Sequence, residues 1–313
     1  MKAGDFFIGP FADYEENPIL KPSDGFQSRG LYNPAVILEG ESFYMLYRAE
    51  TDDGLTGRIG LAVSRDGFRF TCRAEPIVEP GDDFDRGGCE DPRIVKLDEL
   101  YCLTYVGNSG RYHVSNICVA TSRDLLHWTK HGPVLSPREG SWDTGQIKAG
   151  AVVPERIGGR YVMYFMGEER PWAASIGIAY SEDLFHWYEP LERPVLSPRK
   201  GRFDCLGVEP GPAPVILPEG ILLVYNGWGG DCLYRTGGAL FSRDDPATVL
   251  QRSDEPLLSP ARDYGEEFGT ANHCVAEGLV RKGDKWLLYY GAADRVTCVA
   301  TYQGGAAYAE EVH

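Results

Sequence analysis

The sequence predicts an all-β protein: a five-bladed β-propeller whose ring is closed by an N-terminal strand that completes the last blade. Three observations carry this. A Pro-apolar motif recurs five times, as Asn17-Pro18-Ile19-Leu20, Glu75-Pro76-Ile77-Val78, Gly132-Pro133-Val134-Leu135, Arg193-Pro194-Val195-Leu196 and Glu255-Pro256-Leu257-Leu258, with the prolines 58, 57, 61 and 62 residues apart. A Ser-Arg-Asp turn keeps step with it at Ser64-Arg65-Asp66, Ser122-Arg123-Asp124, Ser181-Glu182-Asp183 and Ser242-Arg243-Asp244, with a truncated fifth copy at Val299-Ala300-Thr301. An apolar aromatic stretch recurs with the same period at 43–48, 101–105, 161–165, 221–225 and 286–290. Internal repeats of this period are the signature of radial or linear arrays.

Within each repeat the elements follow in order. A first strand leads through a turn to the aromatic strand. A third strand ends at the Ser-Arg-Asp turn, and a fourth ends at the Pro-apolar motif. The strands are short, rich in β-branched and aromatic residues, and bounded by Gly, Asp and Pro. Four strands five times over make five blades. The last repeat stops near Tyr302 without its Pro-apolar segment, and a spare copy stands at 16–22. The segment around Asn17–Leu20 is therefore expected to pair with 296–301, closing the ring and removing its free edges. No linker or composition break interrupts the pattern, so residues 1–313 read as one domain.

The chain of 313 residues carries a net charge of −15, which argues against nonspecific grip on nucleic acid or on an anionic membrane. Its 8 cysteines include no C-x-x-C pair, which suits buried thiols in a reducing compartment better than a disulfide framework. The six histidines are scattered without a zinc-type spacing, so no metal and no cofactor is expected. No apolar N-terminal core and no run of 18 apolar residues is present, and a cytoplasmic location is the expectation. The sequence sets no oligomeric state, and a homo-oligomer is compatible with it.

In a propeller the first strands line the central channel. The segments entering them are Tyr32-Asn33-Pro34, Glu90-Asp91-Pro92-Arg93, Lys148-Ala149-Gly150, Val208-Glu209-Pro210-Gly211 and Asn272-His273-Cys274. A purely structural channel would be filled with small or apolar groups. Here Asn33, Glu90, Asp91, Arg93, Lys148, Glu209 and His273 converge instead. Arg48, Tyr105, Asn226 and Asp294 end the second strands and are expected to form the next ring. Aromatic faces beside carboxylates and amides suit a sugar. The alternative for most of the tyrosines is ordinary packing between blades.

At these residues the sequence resembles glycoside hydrolase family 130, the β-mannoside phosphorylases and β-mannosidases. The resemblance rests on Asn33-Pro34, Leu46-Tyr47-Arg48-Ala49, Glu90-Asp91-Pro92-Arg93-Ile94, Ile157-Gly158-Gly159-Arg160-Tyr161, Tyr234-Arg235-Thr236-Gly237-Gly238-Ala239 and Tyr290-Gly291-Ala292-Ala293-Asp294, and it spans nearly the whole chain. It implies inverting attack on a β-mannosidic bond of a small oligosaccharide, with Asp91 as general acid. In the phosphorylases of the family the proton is thought to pass through a sugar hydroxyl. Substrate contacts are expected from Asn33, Arg48, Glu90, Arg93, Lys148, Asn226, Tyr234, Arg235, His273 and Asp294. The neighbouring Glu90 would raise the pKa of Asp91, and Arg93 would oppose that.

The sequence departs from the phosphorylase pattern at three places. Lys148-Ala149-Gly150 stands before the third-blade strand, Gly207 stands in place of a lysine, and Asn226 stands in place of a histidine. A phosphate dianion wants charge-assisted donors, so these changes and the anionic Glu209 favour hydrolysis, with Glu209 as the base that activates water. The alternative is a phosphorylase releasing mannose 1-phosphate. It would take inorganic phosphate as co-substrate and hold it by Lys148, Arg48 and Arg235. Two further readings share the architecture. Five-bladed glycosidases of fructosides or arabinosides carry a first-blade Asp, whereas Asn33 stands here. A non-catalytic sugar-binding propeller would repeat similar pockets, whereas each blade here offers a different polar residue.

Overall fold

The computed structural model describes residues 8–52, 56–110, 115–231, 233–259, 262–270 and 273–304. They form five antiparallel sheets set around a common channel. Blade one comprises Gly30–Glu39, Ser42–Glu50, Arg58–Ser64 and Thr71–Cys72. Blade two runs Gly88–Leu97, Leu100–Asn108, Ser115–Ser122 and Thr129–Leu135. Blade three runs Ile147–Val152, Tyr161–Arg170, Ala173–Ser181 and Trp187–Tyr188. In blade four Gly207–Pro210 and Val215–Leu217 share one neighbour, Gly220–Trp228, followed by Tyr234–Phe241 and Val249–Arg252. Blade five takes Cys274–Lys282, Lys285–Ala292 and Val296–Gln303 from the end of the chain and Ala12–Asp13 from its start.

The repeat motifs act through local hydrogen bonds. Ser64 Oγ accepts the Gly67 amide at 2.9 Å, while Asp66 Oδ1 accepts the Phe68 and Arg69 amides, each at 2.8 Å. The same pattern recurs at Ser122/Asp124 and Ser181/Asp183. Short side-chain acceptors thus replace the backbone partner that a tight turn removes.

The Pro-apolar motif does something other than end a strand. Only in blade two does Pro133 lie inside the fourth strand. Elsewhere the residue two after the proline bridges singly to the third strand: Val78 to Ile59, Leu196 to Ile176, Leu258 to Thr236 and Leu20 to Thr297. A proline has no N–H to give the ladder, so the strand breaks before it and resumes for one pair. Ring closure follows the same logic. The ladder pairs lie earlier than expected, Ala12 with Thr301 and Asp13 with Ala300. Asn17 reinforces them by exchanging two side-chain bonds with the Val299 backbone, at 2.8 and 2.9 Å.

Each blade also carries a polar latch behind its second strand. The hydroxyls of Tyr47, Tyr105, Tyr225 and Tyr290 donate to Gln27, Asp85, Asp204 and Asp13. In blades two and four a base from the fourth strand completes the latch, Lys130 at 2.7 Å from Asp85 and Arg252 at 2.6 Å from Asp204. Blade three departs from this: Phe165 has no hydroxyl, and the buried Asp143 meets Glu189 where blades two and four supply a base. Seven described cysteines are free thiols. Among the described residues no helix is long and apolar enough to cross a membrane.

Candidate active site

The first strands break at one register. Two residues oppose one between Tyr32 and Ala35, between Glu90 and Arg93, and between Lys148 and Ala151. The first residue of each bulge is left-handed: Asn33 at φ 52°, Asp91 at 49° and Ala149 at 54°. Bulges of this kind re-aim a side chain and cluster beside active sites.

Asp91 is held by two neighbours. Asn33 Nδ2 donates to its Oδ1 at 2.7 Å and Arg48 Nη1 at 3.0 Å. Its Oδ2 has no hydrogen-bond partner among the described residues, so that oxygen is the place for a transferable proton. Arg48 also pairs with Glu50 at 2.6 Å and Glu90 at 3.3 Å and lies over the Tyr32 ring. Glu90 accepts from Asn108 at 2.9 Å. Burial pushes the Asp91 carboxyl up, but Arg48, Lys148 and Arg93 outweigh it and hold the group below the ordinary range. The balance between Glu90 and Arg93 that the sequence left open falls on the side of the cations, because Arg48 and Lys148 join Arg93.

Glu209 pairs with Asn226 across its blade. That is the register of Glu90, one residue before the bulge, and not the register of Asp91. Its carboxylate makes no hydrogen bond among the described residues. Burial pushes it up to about 7, with Arg93 opposing, Asp91 adding, and Lys148 and His273 opposing. Lys148 therefore lies within electrostatic reach of both Asp91 and Glu209. It too has no hydrogen-bonded partner among the described residues.

Other expected residues fall differently. Arg93 is a tie across the channel: it donates to the carbonyls of Asp91, Pro210 and Gly211 and pairs with Glu277 at 2.9 Å. With 2% of its side chain exposed, it is closed to substrate. Asn226 is fully buried and exchanges both bonds with the Ala276 backbone, at 3.1 and 2.9 Å, so it holds blade four to blade five. Arg235 is neutralised by Asp231 at 2.6 Å. His273 lies higher, two residues before the register of Glu90, beside Tyr234 and 3.6 Å from Asp294. Asn272 lies outside the described residues.

The residue that sequence reasoning missed is Glu277, the second residue of the blade-five bulge. It is 1% exposed, with Oε2 unpartnered, and burial drives its pKa well up despite Arg93. A signal for it existed. Asn33 precedes Tyr47, and Asp91 precedes Tyr105, by 14 residues; counting 14 back from Tyr290 reaches Ala276 and its neighbour Glu277.

Gly207 has a physical cause. A Cβ there would lie 1.9 Å from the Trp228 ring, so the stacked pair Trp228–Tyr234, centroids 4.7 Å apart, leaves no room for a side chain. Among the described residues no three His, Cys, Asp or Glu side chains converge as a metal-holding group.

A family model described as beta-1,4-mannooligosaccharide phosphorylase matches residues 15–305. A 1,2-beta-oligomannan phosphorylase from Thermoanaerobacter sp. (strain X514) is 32% identical over 91% of this chain and 94% of its own length. A beta-1,2-mannobiose phosphorylase from the same organism is 32% identical over 91% and 95%. A solved structure superposes with a TM-score of 0.84 at 32% identity, covering 96% of this chain and 95% of the other. It is reported with the statement that the GH130 family of mannoside phosphorylases contains glycoside hydrolases that target beta-1,2 mannosidic linkages in Candida mannan.

Proposed function

The chain belongs to glycoside hydrolase family 130, and from that footing we propose that it cleaves β-1,2-linked manno-oligosaccharides with inversion, passing the mannosyl group to inorganic phosphate. The observation that favours phosphate over the hydrolysis expected from sequence is Lys148: an ammonium without a hydrogen-bonded partner among the described residues, within electrostatic reach of both Asp91 and Glu209. A phosphate oxygen attacks the anomeric carbon as the glycosidic C–O bond breaks. The leaving oxygen takes its proton from Asp91, directly or through a sugar hydroxyl, and the product is α-mannose 1-phosphate. The lowered pKa of Asp91 fits this order of events. A phosphate dianion drawn to Lys148 and Arg48 competes for the cations that keep Asp91 ionised and adds a like charge beside it. Both effects raise its pKa once phosphate is bound. Glu209, whose carboxyl burial pushes up to about 7, can when protonated donate to phosphate instead of repelling it. The sugar would lie against Tyr234 and His273.

A second reading, with water as acceptor, is favoured by one observation: Glu209 has no hydrogen-bonded partner among the described residues, and burial pushes its carboxyl up to about 7, which suits a general base. Product analysis on β-1,2-mannobiose separates the two. Phosphate-dependent release of α-mannose 1-phosphate is expected, with Asp91→Asn slower by about a hundredfold or more and melting unchanged. Free mannose at a rate indifferent to phosphate, and lost in Glu209→Gln, would replace phosphorolysis with hydrolysis. A chain that cleaves no β-mannoside would end both.

A further inference from the structure

Beside the channel, on the same face of the ring, a groove of about 520 Å3 runs outward between blades three and four. That size lies within the ~300–1,000 Å3 of small-molecule sites. Its walls include Trp142, Glu169, Arg170, Trp172, Ala174 and Leu206. Trp172 is 55% exposed and Leu206 45%, and both line this one groove, the kind of apolar patch that marks a binding surface.

Trp172 is not a loosely hung side chain. Its backbone is left-handed, at φ 71°, a conformation costly for a bulky residue. The surroundings enforce it at both ends. Its amide donates to Glu168 Oε1 at 2.7 Å and its carbonyl accepts from Trp228 Nε1 at 3.2 Å. The same Trp228 stacks on Tyr234, whose ring lies 5.0 Å from that of His273 at the channel mouth. Ala174 packs with Trp228 and with Ala149, the bulge residue of blade three. Trp228 therefore ties the hairpin that carries Trp172 to the Tyr234–His273 side of the channel.

We infer that this groove is a binding subsite for the distal sugars of an oligosaccharide whose cleaved bond lies in the channel, with Trp172 as the stacking platform. The chemistry is that of a neutral glycan: an exposed aromatic face for C–H surfaces, and the polar Glu169 and Arg170 at the edge for hydroxyls. A chain cut deep in the channel must leave by its mouth, and here the mouth opens onto aromatic surface. The inference rests on the proposed cleavage of manno-oligosaccharides and adds that chain length is read in this groove.

The test compares kcat/KM on β-1,2-linked mannobiose, mannotriose and mannotetraose for the parent, Trp172→Ala and Leu206→Asp, the last leaving the hairpin backbone untouched. The parent should gain with chain length. Both variants should lose about tenfold on the tetraose, equivalent to one good contact, through KM, while the biose rate stays level. Equal loss on all lengths, or no gain with length in the parent, would overturn the subsite. If the parent cleaves no mannoside, the proposed function falls on its own. The groove is then judged by titrating the tetraose against tryptophan fluorescence: saturable quenching absent in Trp172→Ala supports it, and its absence in the parent overturns it.

Discussion

At the scale of one residue, Glu209 is where the two proposed acceptors can be told apart. Its carboxyl titrates near 7, raised chiefly by burial, so the two acceptors predict opposite limbs of the pH profile. If phosphate is the acceptor, ionised Glu209 repels it, and kcat/KM for phosphate should fall as pH rises through about 7. Glu209→Gln should keep activity and flatten that fall. If water is the acceptor, Glu209 must be ionised to take a proton, and the rate should climb through the same pH and vanish in the Gln variant. Initial rates from about pH 5.5 to about pH 8.5, expressed per phosphate dianion and compared with Glu209→Gln, read the sign. The repeat made Asp91, Asn33 and Arg48 legible, because a residue's place in a repeated strand fixes the end of the channel it occupies. What the sequence did not disclose was partners. Arg93, Asn226 and Arg235 stand near the expected places, but their donors are committed to Glu277, to the Ala276 backbone and to Asp231. Those commitments depend on which bulge faces which across 50 to 184 residues, or on the curl of one hairpin, and no local pattern encodes them.

At the scale of the element, the blade-three latch is the exception that can be measured. Its neighbours oppose an Asp with a Lys or an Arg, whereas here Glu189 faces Asp143, with Arg138 2.7 Å from Glu189 and 3.2 Å from Asp143. Asp143 Oδ1 and Glu189 Oε1 are both buried without a conventional donor. A proton on Glu189 shared with Asp143 satisfies both. Burial, then the bond and the charge of Asp143, raise Glu189 from 4.5 to about 8 against Arg138. The folded state thus binds this proton more tightly than the unfolded chain. The stability it supplies is complete below about 4.5 and is lost as pH rises through about 8. Glu189→Gln keeps a donor at every pH. The parent should therefore lose more melting temperature between about pH 6 and about pH 9 than Glu189→Gln does. Parallel losses would show that the pair shares no proton. The latch was invisible in the sequence because it joins a loop, a second strand and a fourth strand that only the blade brings together. The Ser-Arg-Asp turns were visible because donor and acceptor lie within three residues.

For the whole molecule the question is what holds the ring shut. Sheets at the edge of an open array present unpaired backbone, and here that edge would be Val296–Gln303, the strand that follows Asp294 at the channel mouth. The N-terminal segment covers it in three ways. Ala12 and Asp13 extend the ladder, Ile19 donates to Thr297 at 2.9 Å, and Asn17 takes both polar groups of Val299. Asp13 is also the acceptor for Tyr290, a buried hydroxyl at 2.7 Å. The five-fold repeat and the spare motif near residue 18 were enough to foresee closure. The ladder pairs themselves lie at Ala12 and Asp13, a short polar pair with no strand signature of its own, set by the register of the partner strand. Two variants grade the contribution. Asn17→Ala leaves the buried Val299 amide unpaired, while its carbonyl keeps the Tyr14 amide at 3.0 Å; the change should cost about 1–3 kcal/mol by urea denaturation, with the ring intact. Deleting residues 1–22 removes the ladder, the Asn17 bonds and the Tyr290 acceptor together. It should lower the melting temperature far more than Asn17→Ala does, and activity should fall with it, since the freed strand carries the Asp294 turn. Adding a peptide of residues 8–22 should restore part of both by strand addition. A truncated chain that melts like its parent would mean that the ring holds without its clasp, and that contacts between blades alone set its stability.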